Sequence, residues 1–186
     1  VTVSQSSGGG TTTPSYTLLA WNDLGMHCMD ADYSVFSILP PFNNLHAQLV
    51  DSGNNKLVTS GATLTYEAMA DLDGSINSIS STKTNFWTYD LHLFGVDLPD
   101  NIGLTGHGLT GEFEWVGPDW TATGIPVTPF TDAAPAVEDA YQQALVILRD
   151  GQGAELHRSQ PVIPVSVEIN CVSSGCHSSV NNILGE

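Results

Sequence analysis

Residues 141–167 read Tyr141-Gln-Gln-Ala-Leu-Val-Ile-Leu-Arg149, then Asp150-Gly-Gln-Gly153, then Ala154-Glu-Leu-His-Arg-Ser-Gln-Pro-Val-Ile-Pro-Val-Ser-Val167. Two apolar runs bracket a glycine-rich tetrapeptide, the pattern of a β-hairpin with strands over Tyr141 to Arg149 and Leu156 to Val167. Working outward, His46 to Val50 and Lys56 to Val58 form a second predicted hairpin around Asp51-Ser-Gly-Asn-Asn55. Ala62 to Met69 alternates, with Leu64, Tyr66 and Ala68 on one side. Tyr16 to Trp21 and Phe113 to Val116 are further short runs. Short strands, frequent Gly, Pro, Asn and Asp turns and no long helical period predict a mainly β chain, an immunoglobulin-like β-sandwich with long loops. Apolar residues near three-to-four spacing predict short helices within 30–39 and 85–96, the first ended by Pro40-Pro41.

Three regions follow. Residues 1–14, VTVSQSSGGGTTTP, have the composition of a linker or extended arm. Val1 and Val3 alternate with polar residues as an added edge strand would, so capture of this arm by a second copy is expected, giving a homo-oligomer or filament. Residues 15–168 carry the β-sandwich. Residues 169–186 form a C-terminal segment with its own chemistry.

Charge narrows the function classes. The chain has 20 acidic and four basic residues, Lys56, Lys83, Arg149 and Arg158, for a net charge of −16. Such a chain repels nucleic acid and anionic membrane surfaces. No apolar stretch is long enough to suggest membrane insertion. The chain starts at Val1, as a mature exported protein does after loss of its leader, and low charge with many Ser and Thr residues fits an extracellular β-protein. A secreted or cell-surface location is therefore expected.

The C-terminal segment contains Cys171-Val-Ser-Ser-Gly-Cys176-His177, two of the three cysteines of the chain with a histidine directly after the second. Two thiols and an adjacent imidazole are what covalent haem attachment requires; the usual spacing is C-x-x-C-H. The longer C-x4-C-H spacing resembles attachment sites in tetrahaem cytochromes of the c3 type, and Ser173, Ser174 and Gly175 let the loop bulge. A Cys171–Cys176 disulfide in an exported protein is a second reading, and another small metal site with His177 a third.

The block Trp21-Asn-Asp-Leu-Gly-Met-His-Cys-Met-Asp30, continuing through Tyr33-Ser-Val-Phe-Ser-Ile-Leu-Pro-Pro-Phe42, resembles the N-terminal region of large exported multihaem c-type cytochrome-like proteins of metal-reducing and environmental bacteria. The likeness recurs at Thr65-Tyr-Glu-Ala68, Lys83-Thr-Asn-Phe-Trp87, Gly124-Ile-Pro-Val-Thr-Pro-Phe130 and Ile163-Pro-Val-Ser166, and covers about residues 16–184. In that family the last segment leads into a haem-attachment site. The resemblance implies one haem c on Cys171 and Cys176, with His177 as proximal iron ligand. Relatives often continue into further haem sites and usually carry C-x-x-C-H, and this chain departs from both patterns.

Met26-His27-Cys28-Met29 places four soft or borderline donors in succession, a set suited to copper or to an axial position on haem iron, although Met and Cys are also ordinary core residues. A low-spin electron carrier needs a sixth iron ligand. His27 is the favoured candidate, with Met26 as the alternative and His46, His92, His107, His157 or a partner's histidine behind them. Cys28 is then an odd cysteine, read first as a buried thiol, otherwise as an intermolecular bond or metal ligand.

Asp71-Leu-Asp-Gly-Ser75 departs from an EF-hand, so only a weaker calcium site on Asp71 and Asp73 is conceivable, against the plainer reading of solvated turn carboxylates. Nothing resembles a nucleophile elbow, phosphate loop or paired-carboxylate site, so no enzyme is expected. The sequence thus points to an exported c-type haem protein in electron transfer, with other redox proteins as partners, a self-assembling filament subunit, or both. The competing class is a structural or copper- or calcium-binding β-domain whose Cys171 and Cys176 form a disulfide.

Overall fold

A computed structural model describes residues 15–34 and 39–167; the N-terminal arm and the Cys171-to-His177 segment lie outside these residues. Among the described residues the chain is mainly β, with eleven strands, one helix and several sheets. β1 (Tyr16–Trp21) pairs antiparallel with β3 (Asn43–Asp51), from Tyr16 opposite Asp51 to Trp21 opposite His46. On its other side β3 meets β8 (Asp119–Ile125) and, at its far end, β4 (Lys56–Leu57); β7 (Glu114–Val116) closes that sheet beyond β8. The second sheet centres on β5 (Thr63–Met69) and β9 (Gln143–Arg149), paired over seven residues from Thr63 opposite Arg149 to Met69 opposite Gln143. β10 (Glu155–Ser159) flanks β9, and β6 (Gly111–Glu112) flanks β5.

Period-two patterning decides which side chains are buried. Leu45, Ala47 and Leu49 of β3 and Trp120 and Ala122 of β8 point one way; Leu64 and Tyr66 of β5 and Ala144, Val146 and Leu148 of β9 join them in one hydrophobic cluster. Each fully buried Leu or Val in such a cluster contributes about 1.5–3 kcal/mol. Buried polar tips find backbone partners: Trp120 Nε1 donates to Val58 O at 2.9 Å and Tyr66 Oη to Gly108 O at 3.1 Å.

The hairpin of β9 and β10, the hairpin of β3 and β4, and strands β1 and β5 lie where the sequence places them. The long run predicted from Leu156 to Val167 divides in two. Pro161 and Pro164 cannot donate to a ladder, so β10 ends at Ser159 and the chain leaves that sheet. It then forms β11 (Val165–Val167), which runs parallel to β2 (His27–Met29) with Val165 opposite His27 and Val167 opposite Met29. β8 is unpredicted, because its inward residues include Ala122 and Gly124, too small to register as an apolar stripe. Gly124 adopts φ +77°, and a Cβ there would run into Thr105 and Phe42.

The predicted helix over 85–96 is α1 (Phe86–Phe94), ended by Gly95 in the left-handed region, whose N–H reaches Leu91 O. The helix expected within 30–39 meets a different outcome at its described ends. Asp32 Oδ1 accepts from Ser34 N at 2.9 Å and Oγ at 2.6 Å, while Asp30 Oδ2 accepts from Leu39 N at 2.7 Å. These carboxylates offer the Ser34 and Leu39 N–H groups a non-helical partner. The Ser34 hydroxyl, Asn85 and the Ser34 amide hold the Asp32 carboxyl down at about 2.

Two buried polar groups tie the pieces together. Lys83 Nζ donates to Asn77 Oδ1 at 2.6 Å, Phe130 O at 3.0 Å and Asp132 Oδ1 at 2.5 Å. Asn43, 0 % exposed at the start of β3, donates through Nδ2 to Pro164 O at 2.6 Å and accepts from Asn44 N at 2.8 Å and from Asn22 Nδ2. Pro164 O also accepts from His27 N at 3.2 Å, so one carbonyl joins β3 to the β2–β11 pair. Asn43→Ala strands these partners in the interior and is expected to lower the unfolding free energy by about 2–4 kcal/mol. Urea denaturation measures this; a loss below about 0.5 kcal/mol, the ordinary surface range, would show that the pair holds without Asn43.

Candidate functional site

The β2–β11 pair carries three of the sequence-predicted donors, His27, Cys28 and Met29, with Met26 directly before it. Met29 of β2 is 1 % exposed and belongs to the core together with Val165 and Val167. Side chains alternate along a strand, so Cys28 is directed to the side opposite Met29, in register with Ser166. Ser166 Oγ donates to Glu138 Oε1 at 2.5 Å and Val167 N donates to the same oxygen at 2.9 Å, which anchors β11 as it runs toward the C-terminal segment.

His27 is half-buried beside Phe42, with ring centroids 5.9 Å apart. Its Nε2 lies 2.9 Å from Pro40 O. A carbonyl only accepts, so Nε2 carries the proton and Nδ1 keeps the lone pair. Burial pushes the His27 pKa below its ordinary value, against a smaller opposing effect of the Pro40 carbonyl. The ring is therefore neutral at neutral pH, the form in which an imidazole binds a metal.

Cys28 is disulfide-bonded, and this replaces the expectation of a buried free thiol. Of the four successive soft donors, Met29 is spent on the core and Cys28 on sulfur–sulfur bonding, which leaves Met26 and His27. Met26 is half-buried and precedes β2.

The other described histidines are engaged elsewhere or exposed. His46 on β3 sits with Nε2 3.0 Å from Asp23 and Nδ1 3.7 Å from Asp119, its ring stacked on Trp21 at 5.7 Å. Both its nitrogens thus face carboxylates. His107 Nδ1 lies 3.3 Å from Thr105 Oγ1. His92 on α1 and His157 on β10 are exposed. Cys171, Cys176 and His177 lie outside the described residues.

The calcium candidates occupy a tight turn. Asp71 N donates to Ser75 O at 2.8 Å, and Asp73 Oδ1 accepts from Ser75 N at 2.9 Å and Oγ at 2.6 Å. Ser75 thus holds the Asp73 carboxyl below its ordinary value. A third carboxylate, Asp139, comes from a distant loop to meet Asp71. Among the described residues no group of three or more His, Cys, Asp and Glu side chains is placed to hold a metal ion. Asn43, Pro164 and Glu138, which set the position of β2 and β11, went unnoticed in the sequence. A buried asparagine carries no periodic signal, and its partner Pro164 is 121 residues away in the chain.

No family model, curated protein or solved structure matches this chain.

Desolvation, the contact with Asp139 and the nearby Asp73 raise the Asp71 pKa above its ordinary value. A carboxyl whose folded pKa is raised withdraws stability as pH climbs through that range. Asp71→Asn keeps a donor toward Asp139 and removes one charge, so it is expected to raise the melting temperature at pH 7 and to change it little at pH 3. A lower melting temperature at pH 7 would show that the ionised Asp71 is needed, as a bound cation requires.

Proposed function

We propose that this chain is an exported c-type haem protein of the bacterial cell surface, built on a β-sandwich of immunoglobulin-like type and serving electron transfer. One observation carries the reading. β11 lies beside β2 with Val165 opposite His27, and Cys171 follows Val167 after only three intervening residues. The C-x4-C-H motif thus follows closely in sequence on a strand whose neighbour carries a half-buried imidazole, which supports the reading. The donor types fit haem: His177 would hold the iron through one nitrogen and His27 through a second, with Met26 as the alternative. The iron supplies one-electron chemistry when bound. The chain holds the His27 ring beside Phe42 and keeps it neutral, the form that would be available to the iron.

The Cys28 disulfide favours a second reading, a disulfide-held structural β-domain without haem. The two differ in a reduced-minus-oxidised absorption spectrum and in intact mass. Haem bands and a mass increased by one haem after denaturation are expected; a bare polypeptide mass would remove the haem reading. His27→Ala is expected to retain covalent haem and to shift its spectrum toward high spin. An unaltered low-spin spectrum would pass the sixth position to Met26 or to a partner's histidine.

Assembly is the second half of the proposal. Among the described residues β1, β7, β10 and β6 are the end strands of the two larger sheets; β1 and β10 lie near each other, and the β7 and β6 ends offer edges to receive an arm. Residues 1–13 of another copy would add a strand there, and a head-to-tail contact of this kind extends into a filament. Deletion of residues 1–13 is expected to give a folded monomer. Continued polymerisation of the shortened chain, observed by electron microscopy or light scattering, would exclude the arm.

A further inference from the structure

The Lys83 side chain is only 1 % exposed, and its nitrogen reaches three oxygens, Asn77 Oδ1 at 2.6 Å, Phe130 O at 3.0 Å and Asp132 Oδ1 at 2.5 Å. An amine is thus buried against a carboxamide with a carboxylate beside both. We propose that this amine displaces ammonia from Asn77, so that Lys83 and Asn77 become joined by an isopeptide bond, with Asp132 accepting the proton of the amine. The site shares no residue with the candidate haem ligands.

Hydrogen bonding fixes the way the carboxamide points. Thr128 O only accepts and lies 2.9 Å from Asn77 Nδ2; an ammonium only donates, so Oδ1 is the atom turned to Lys83. With a C=O bond of about 1.23 Å, the Asn77 carbonyl carbon lies within about 3.8 Å of Nζ. Reacting atoms need to be about 3–3.5 Å apart, so a small rotation of the Lys83 side chain brings nitrogen onto carbon. The partners are six positions apart, and each is held by groups outside that segment: Asn77 by Thr128, Lys83 by Phe130 and Asp132. Asp132 is fastened independently of Lys83, by the Ser78 amide at 3.1 Å and the Ser78 hydroxyl at 2.6 Å. The intervening Ser80 and Ser81 amides both donate to Asn101 Oδ1, at 2.7 Å and 2.8 Å. The loop therefore meets the reaction already ordered, which removes much of its entropic barrier.

Burial pushes the Lys83 pKa below its ordinary value, against the opposing effects of the Asp132 carboxylate. A desolvated lysine gives up its proton and becomes a nucleophile. Lys83 passes one proton to Asp132, and its lone pair forms the Nζ–Cγ bond as the Asn77 C=O opens to an oxyanion. When the C=O re-forms, the Cγ–Nδ2 bond breaks. Of the two protons that Nζ gives up, one reaches Nδ2 through Asp132, so that ammonia leaves, and the other goes with it into water as ammonium. Asp132 ends ionised, as it began, and the balance needs no oxidant or reductant. The Asp132 side chain is 29 % exposed, which gives the ammonia a way out.

Mass spectrometry of the purified full chain, denatured and digested with trypsin, tests this. Trypsin does not cut at a lysine acylated on Nζ, so residues 57–149 are expected to survive as one peptide, about 17 Da lighter than their sequence through loss of one ammonia. Residues 57–83 and 84–149 recovered separately at full mass would overturn the proposal and leave Lys83 in an ordinary buried ion pair. A loss of about 17 Da with Lys83 still cut would mean that Asn77 had closed on its own backbone, and a loss of about 18 Da that Asp132 was the acylating partner; either rules out the Lys83–Asn77 bond. Asp132→Asn, recovered as the folded fraction by gel filtration, is expected to keep its ammonia and to be cut at Lys83. A linked Asp132→Asn chain would remove Asp132 from the reaction.

Discussion

The carbonyl of Pro164 holds this structure to one arrangement. It accepts from Asn43 Nδ2 and from the His27 amide, and so fastens the start of β3, the start of β2 and the entry to β11 at one point. None of these groups meets water freely, since Asn43 is buried and β11 is buried throughout. An unmade hydrogen bond there costs about 1–3 kcal/mol, so alternative packings of the C-terminal run are excluded by polar satisfaction as much as by apolar contact. The two prolines at 161 and 164 act in the same direction. They prevent β10 from continuing and deliver the chain, already committed, to β2.

That geometry sorts four adjacent donors into different fates. Alternation along a strand sends Met29 inward and Cys28 outward, while His27 is caught between Phe42 and the Pro40 carbonyl. Composition alone treats Met26, His27, Cys28 and Met29 as one soft cluster. Folding separates them into a core residue, a cross-linked sulfur and a neutral imidazole with one free lone pair, next to Met26. The acidic loops are sorted similarly. Asp32, Asp73 and Asp132 cap turns or pair with Lys83, whereas Asp71 is pressed against Asp139. Scarce cations thus leave one carboxylate contact uncompensated, while Lys83 is used where burial makes a cation most valuable.

Much of the strand order was legible because the β-signal is local. The Asp150-Gly-Gln-Gly153 turn, the alternation through Leu64 and Tyr66 and the run at Tyr16 are each complete within a few residues. β8 was not legible, since Thr121 and Thr123 alternate with Ala122 and Gly124 and show no apolar contrast. At the described ends of the segment where a helix was expected, the apolar spacing is present, but the side chains of Asp32 and Asp30 engage the Ser34 and Leu39 amides.

By itself the sequence determined the β class, the anionic character, the hairpins and the presence of a Cys-x4-Cys-His motif, because each depends on residue type and short-range spacing. Only the tertiary structure decided that β11 lies against β2, that His27 is neutral with Nε2 engaged, and that Cys28 is joined through sulfur. The pairing of β2 with β11 depends on residues more than a hundred positions apart, and the His27 ring on a carbonyl thirteen positions along the chain. The energy of such contacts comes from burial and from hydrogen bonds satisfied out of water, and neither has a local signature in the chain.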